Sequence, residues 1–100
     1  MTIEKIRDEE TLTVALTGRL DTMTVSELSA AMEDAFSGVQ KLIYDLSGLD
    51  YISSAGLREL FRSKKKMSGV QGEMIIRGAN EDLMEVFEIT GFVDLLDFEE

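Results

Sequence analysis

The sequence predicts one α/β domain over residues 1–100, a mixed and mostly parallel β-sheet with helices packed on it. Three observations predict it. Leu12, Val14 and Leu16 alternate with Thr11, Thr13, Ala15 and Thr17, the two-residue period of a strand with one apolar face. Leu42, Ile43, Tyr44 and Leu46 form a nearly continuous apolar run, expected of a central strand covered on both faces. Segments with apolar residues at helical spacing follow each of these, with no linker, repeat or low-complexity stretch between them.

Taken in order, Ile3–Arg7 is a first strand, Asp8-Glu9-Glu10 a hairpin connection, and Thr11–Thr17 a second strand ended by Gly18. Thr24–Phe36 is a helix with Val25, Leu28, Met32 and Ala35 on one face. Thr24 and Glu27 have the spacing of a capping box, and Gly38 closes the segment. Lys41–Leu46 is the central strand and Ser47–Ser53 a loop. Ser54–Met67 is a helix burying Leu57, Leu60 and Phe61, with Gly69 near its end. Glu73–Arg77 is a further strand. Asn80 caps a last helix carrying Leu83, Val86, Phe87 and Thr90 on one stripe. Gly91 ends it, Phe92 folds back over it, and Val93–Leu96 is a short final strand. Strands separated by helices become parallel neighbours, and the opening hairpin adds one antiparallel pair.

Composition removes several functions. Without Cys there are no disulfides or thiolate metal sites, and without His no Ser-His-Asp triad or imidazole zinc site. A net charge of -10 disfavours nucleic acid and anionic membrane surfaces, since both need cations set against phosphates. Residues 1–10 have no apolar run, no segment approaches a membrane span, and the cytoplasm is the expected compartment. No nucleophile has an evident base and no glycine-rich phosphate loop is present, so neither an enzyme nor a bound cofactor is expected. Asp21, Asp45 and Asp50 carry no signature of a metal or aspartyl-phosphate site.

The informative run is Asp45-Leu46-Ser47-Gly48-Leu49-Asp50-Tyr51-Ile52-Ser53-Ser54-Ala55-Gly56-Leu57-Arg58. It passes from the central strand into a helix start, where free backbone N–H groups and the positive end of the dipole favour an anion. A phosphate on Ser54 adds about -1.5 to -2 charges there. The small residues Ala55 and Gly56 let another molecule approach the backbone. The plainer alternative is that Ser53 or Ser54 only caps the helix and Ala55-Gly56 only permits close packing.

This run resembles the signature of the anti-sigma-factor antagonists, whose fold is the STAS domain. Gly18-Arg19-Leu20-Asp21 before a helix and Asn80 through Thr90-Gly91-Phe92 resemble other family features in the same order. The resemblance implies a bacterial, cytoplasmic, non-enzymatic partner-switching protein regulating transcription. It implies a Ser, here Ser54, phosphorylated by an anti-sigma factor that is itself a serine kinase, and reset by a serine phosphatase. The unphosphorylated form then sequesters the kinase and the phosphorylated form releases it. Ser53 and Ser54 are implied partner-binding residues, joined by Ala55, Gly56 and Arg58 from their place at the helix start; Asp21 matches an acidic position near the family's binding surface, or else is only a turn residue before the helix. Where many members have Asp before the acceptor this chain has Ser53, which makes Ser53 an alternative acceptor. Where many have Ser or Thr after it this chain has Ala55. Since the sequence stops soon after Leu96, the final helix that many members carry is not expected within it. A second expectation is an unphosphorylated STAS module that senses a nucleotide or metabolite, or serves as a scaffold subunit. Of the basic residues Arg58, Arg62, Lys64, Lys65 and Lys66, the lysines suit a solvated helix face, and Arg58, one turn past Ser54, suits a contact.

Overall fold

A computed structural model describes residues 1–99. The elements are β1 (Thr2–Asp8), β2 (Thr11–Leu20), α1 (Val25–Met32), β3 (Lys41–Ile52), α2 (Ser54–Gly69), β4 (Glu73–Arg77), α3 (Glu81–Thr90) and a 3-10 turn, Phe92–Asp94. The strands form one four-stranded sheet in the order β1-β2-β3-β4. β1 and β2 are an antiparallel hairpin, while β2–β3 and β3–β4 are parallel. Two successive right-handed crossovers that step the same way across a sheet place α1 and α2 on the same face.

That face carries the core. Leu12, Val14 and Leu16 of β2, Leu42, Tyr44 and Leu46 of β3, and Met74 and Ile76 of β4 are buried in one cluster with Leu28, Met32, Leu57, Leu60, Met67, Leu83 and Phe87 of the helices. The Tyr44 hydroxyl ends within this cluster, 2.8 Å from Ser63 Oγ of α2, so burial leaves neither group without a partner. Ile43 and Ile75 alternate with the buried residues and are only half-buried on the opposite side. The apolar run in β3 is therefore not covered on both faces, as the sequence suggests; it is buried on one.

Five further expectations are corrected. β2 does not stop at Gly18 but runs through it to Leu20, and β3 continues through the segment expected to be a loop. The β2–β3 register shifts twice, between Ala15 and Thr17 and between Gly18 and Arg19. Each shift gives β3 an extra residue, so its buried positions step from Leu46 to Leu49 to Ile52 rather than by twos. The α1 capping box does not form, because the Thr24 hydroxyl accepts from Asp21 N (2.9 Å) and donates to Arg19 O (2.7 Å) instead of reaching into the helix. α1 also ends at Met32 rather than Phe36, in turns that precede Gly38. Val93–Leu96 is not a strand: Phe92 starts the 3-10 turn, packed edge-to-face on Phe61 at 6.1 Å. The chain reaches the sheet only at Phe98, which bridges to Ile76. No helix among the described residues is long and apolar enough to cross a membrane.

Candidate functional site

β2 and β3 run out together. Leu20 lies opposite Ile52, and Ser53 N donates to Leu20 O at 2.9 Å. Asp21 and Ser53 therefore leave the sheet side by side at the carboxyl edge of parallel strands, where open α/β sheets meet ligands and partners.

Asp21 organises the first exit. Its Oδ1 accepts from the amides of Met23 and Thr24, both at 3.0 Å, and its Oδ2 lies 3.5 Å from Arg19 Nε. Partial burial pushes the carboxyl pKa up. The hydrogen bonds from Thr24, Met23 and Arg19 together outweigh it and hold the group below its usual 3.8. Arg19 also lies over the Tyr51 ring, 4.2 Å from its centroid, a cation–π contact between the ends of β2 and β3. Met23 is 83% exposed and Tyr51 41%, so two large side chains face solvent at this edge.

The second exit separates the two serines. Ser53 has extended backbone angles, and its hydroxyl accepts from Gly56 N at 3.3 Å, which makes it the helix cap. Ser54 is the first residue of α2, is exposed, and its hydroxyl makes no hydrogen bond to any described residue. The first turn of α2 holds no acidic side chain. Ala55 is half-buried. Gly56 is buried, and a Cβ there would sit 2.8 Å from Leu20 Cγ and 3.0 Å from Leu20 O. Its missing side chain lets α2 dock on the end of β2, so it faces the core and not a visitor. Arg58 is exposed and forms no ion pair with a described residue.

The neighbouring cations are engaged within the chain. Lys64 reaches Asp97 at 2.8 Å and Arg62 reaches Glu59 at 3.7 Å. Lys65 and Lys66 lie over the rings of Phe61 and Phe36. Asp45 is not at the edge. It accepts from the hydroxyl and amide of Ser47 and pairs with Arg77 at 3.5 Å, all of which lower its pKa. Asp50 is exposed, and no group of three acidic side chains suited to a metal occurs among the described residues.

Sequence reasoning missed the Arg19–Tyr51 contact. Both residues stood in motifs singled out on the chain, but their pairing follows from the shifted strand register. It also missed an open groove of about 590 Å³ between α1 and α2, lined by Val25, Met32, Phe36, Glu59, Arg62 and Lys66. The Glu59 side chain is only 11% exposed there; burial raises its pKa, against the pull of Arg62 and Lys66.

A mixed sheet with its helices gathered on one face is the architecture of a STAS domain. The chain belongs to the STAS domain family, whose model matches residues 2–100. Its relatives include bacterial proteins named as anti-sigma factor antagonists. BtrV of Bordetella bronchiseptica, named as a candidate anti-sigma factor antagonist, is 34% identical over 96 residues, covering 95% of this chain and 81% of the relative. The anti-sigma-B factor antagonist of Listeria monocytogenes is 28% identical over 95 residues, covering 93% and 82%. Among solved structures, the anti-sigma factor antagonist SpoIIAA in its unphosphorylated form superposes with a TM-score of 0.77 at 19% identity, over 99% of this chain and 88% of that one. An antagonist from Mycobacterium paratuberculosis superposes at 0.85 and 19% identity, over 97% and 83%. At these identities the superpositions speak for the fold alone.

Proposed function

We propose that this chain is a cytoplasmic anti-sigma factor antagonist, a binding module and not an enzyme, switched by phosphorylation of Ser54. The observation that carries the reading is the division of work between two adjacent serines. The Ser53 hydroxyl is tied to the Gly56 amide, while the Ser54 hydroxyl is exposed and unbonded at the same helix start. A kinase can reach the second without uncapping the helix. The α2 N-terminus then stabilises the added charge locally, so phosphorylation leaves the fold intact. A partner docked over Asp21, Ser54 and Arg58, with Met23 and Tyr51 at the rim, would meet a strongly hydrated dianion and be lost. The proposed partners are an anti-sigma factor serine kinase and a serine phosphatase.

Intact mass and fragmentation of protein from its own cells should give one phosphate, on Ser54, with occupancy that changes between growth and stress. Calorimetry against the kinase should show Ser54→Ala binding like wild type and Ser54→Asp at least about tenfold weaker, roughly 1.4 kcal/mol. Phosphate on Ser53, or equal binding by wild type and Ser54→Asp, would refute the switch. The α1–α2 groove supports a second reading, a ligand-sensing module. A nucleotide that raises the thermal midpoint of wild type, and not of a groove variant such as Arg62→Ala, would favour it.

A further inference from the structure

The side of the sheet opposite the helices has a pattern of its own. The strand registers align Ile6, Thr13, Ile43 and Ile75 into one row across all four strands. None of the three isoleucines packs against the core cluster, and Ile6 is 53% exposed. The next row on one side is Asp8, Thr11, Lys41 and Glu73, and the next on the other is Glu4, Ala15, Asp45 and Arg77. Over β3 and β4 the two flanking rows carry opposite charges in opposite order. Lys41 and Glu73 lie 3.9 Å apart in one row, Asp45 and Arg77 3.5 Å apart in the other.

We propose that this face docks a second copy of the chain through a two-fold axis along the isoleucine row. A rotation about that row sets Lys41 over Asp45 of the other copy and Glu73 over its Arg77, with each pairing repeated by symmetry. Ile43 then meets Ile43 and Ile75 meets Ile75, and the strands run antiparallel in the aligned packing of two sheets. Charge complementarity selects a like copy, because the two rows complement each other and nothing in them is left over on β3 or β4. Over β1, Glu4 meets Asp8, so the close contact centres on β2–β4 and the dimer is weak. The area agrees: even if all four strands, spaced about 4.8 Å, took part over three rows, they would give a few hundred Å² per partner, in the small-interface class below about 1,200 Å² in total. The face lies away from the α2 start, so a dimer leaves Ser54 free, and the inference does not rest on the phosphorylation reading.

The test is sedimentation at 0.15 M salt, where the charge of -10 is screened beyond about 8 Å. Between about 10 μM and 1 mM, the mass of wild type should rise from 11.2 kDa toward twice that value. Exchanging one row, Lys41→Glu with Glu73→Lys, keeps the ion pair within the chain but sets like charges across the axis. This variant should stay monomeric, as should Ile43→Lys, both with wild-type circular dichroism. Adding Asp45→Lys and Arg77→Glu restores complementarity and should restore the dimer. A wild type that stays monomeric across this range overturns the proposal. A dimer indifferent to both variants overturns it and assigns the contact to another surface. A row-exchanged monomer that the second exchange fails to rescue refutes the two-fold pairing.

Discussion

Ser53 and Ser54 are the same residue type one position apart, and 3.6-residue geometry gives them different work. The residue with extended angles turns its oxygen back on the Gly56 amide, and the next points out. Ser53→Ala should lower stability by about 1 kcal/mol, seen as a fall of about 4–8 °C in thermal midpoint, while Ser54→Ala should change it by less than about 0.5 kcal/mol. Equal losses would mean that both hydroxyls cap. Glu59 poses a different residue-scale problem, a largely buried carboxylate at a groove wall, paired with Arg62 at 3.7 Å. Its folded pKa is raised above the 4.5 of the unfolded chain, so between those values the native state binds more protons. Its contribution to stability therefore falls as pH rises through that window, and the penalty is fully present above the folded pKa. Glu59→Gln should raise the thermal midpoint at pH 7 and change it less at pH 4. A larger gain at pH 4 would contradict the sign.

At the scale of elements, β3 explains most of the differences between expectation and structure. Its first six residues alternate cleanly in burial, although their nearly continuous apolar run reads in the sequence as a strand covered on both faces. After Leu46 the inward residues come every third position, because two register shifts against β2 each add a residue. A local reading sees broken periodicity with Gly48 in the middle and takes the stretch for a loop. Only pairing with β2 makes it a strand, and pairing is not a local property. α1 failed in the same way, since Thr24 and Glu27 have capping-box spacing but the Asp21 turn captures the Thr24 hydroxyl first. Asn80, by contrast, caps α3 as its sequence predicts, its Oδ1 accepting from Leu83 N at 2.9 Å. The sidedness of β3 gives a sharp prediction for neighbouring residues. Leu42→Ala should cost about 2–5 kcal/mol in denaturant unfolding, because Leu42 is fully buried. Ile43→Thr keeps a β-branched side chain on the open face and should cost less than about 1 kcal/mol. Similar losses at both positions would mean that the open face is covered.

For the whole molecule, the strand order and the hand of the crossovers together decide which faces are free. The order β1-β2-β3-β4 sends each crossover the same way, so the helices gather on one face and the other keeps its isoleucine row. The same order brings the ends of β2 and β3 to one edge, which joins Asp21, Arg19, Tyr51, Met23 and Ser54 although up to 35 positions separate them in sequence. Folding thus yields two surfaces with different chemistry: a polar edge with a free hydroxyl on a helix start, and a flat face with alternating charges flanking an apolar row.

The sequence alone determined the α/β class, the mixed sheet, the three helices and the place of Ser54 at a helix start, because apolar periodicity and helix-start residues act over a few neighbours. It also excluded thiolate and imidazole chemistry outright. Tertiary structure alone decided that Ser53 is the cap and Ser54 free, that Gly56 faces Leu20 rather than a partner, that β3 extends to Ile52, and that one face of the sheet is open. Each of these depends on which strand lies beside which and in what register, and that is settled only when distant segments compete to bury the same apolar surface.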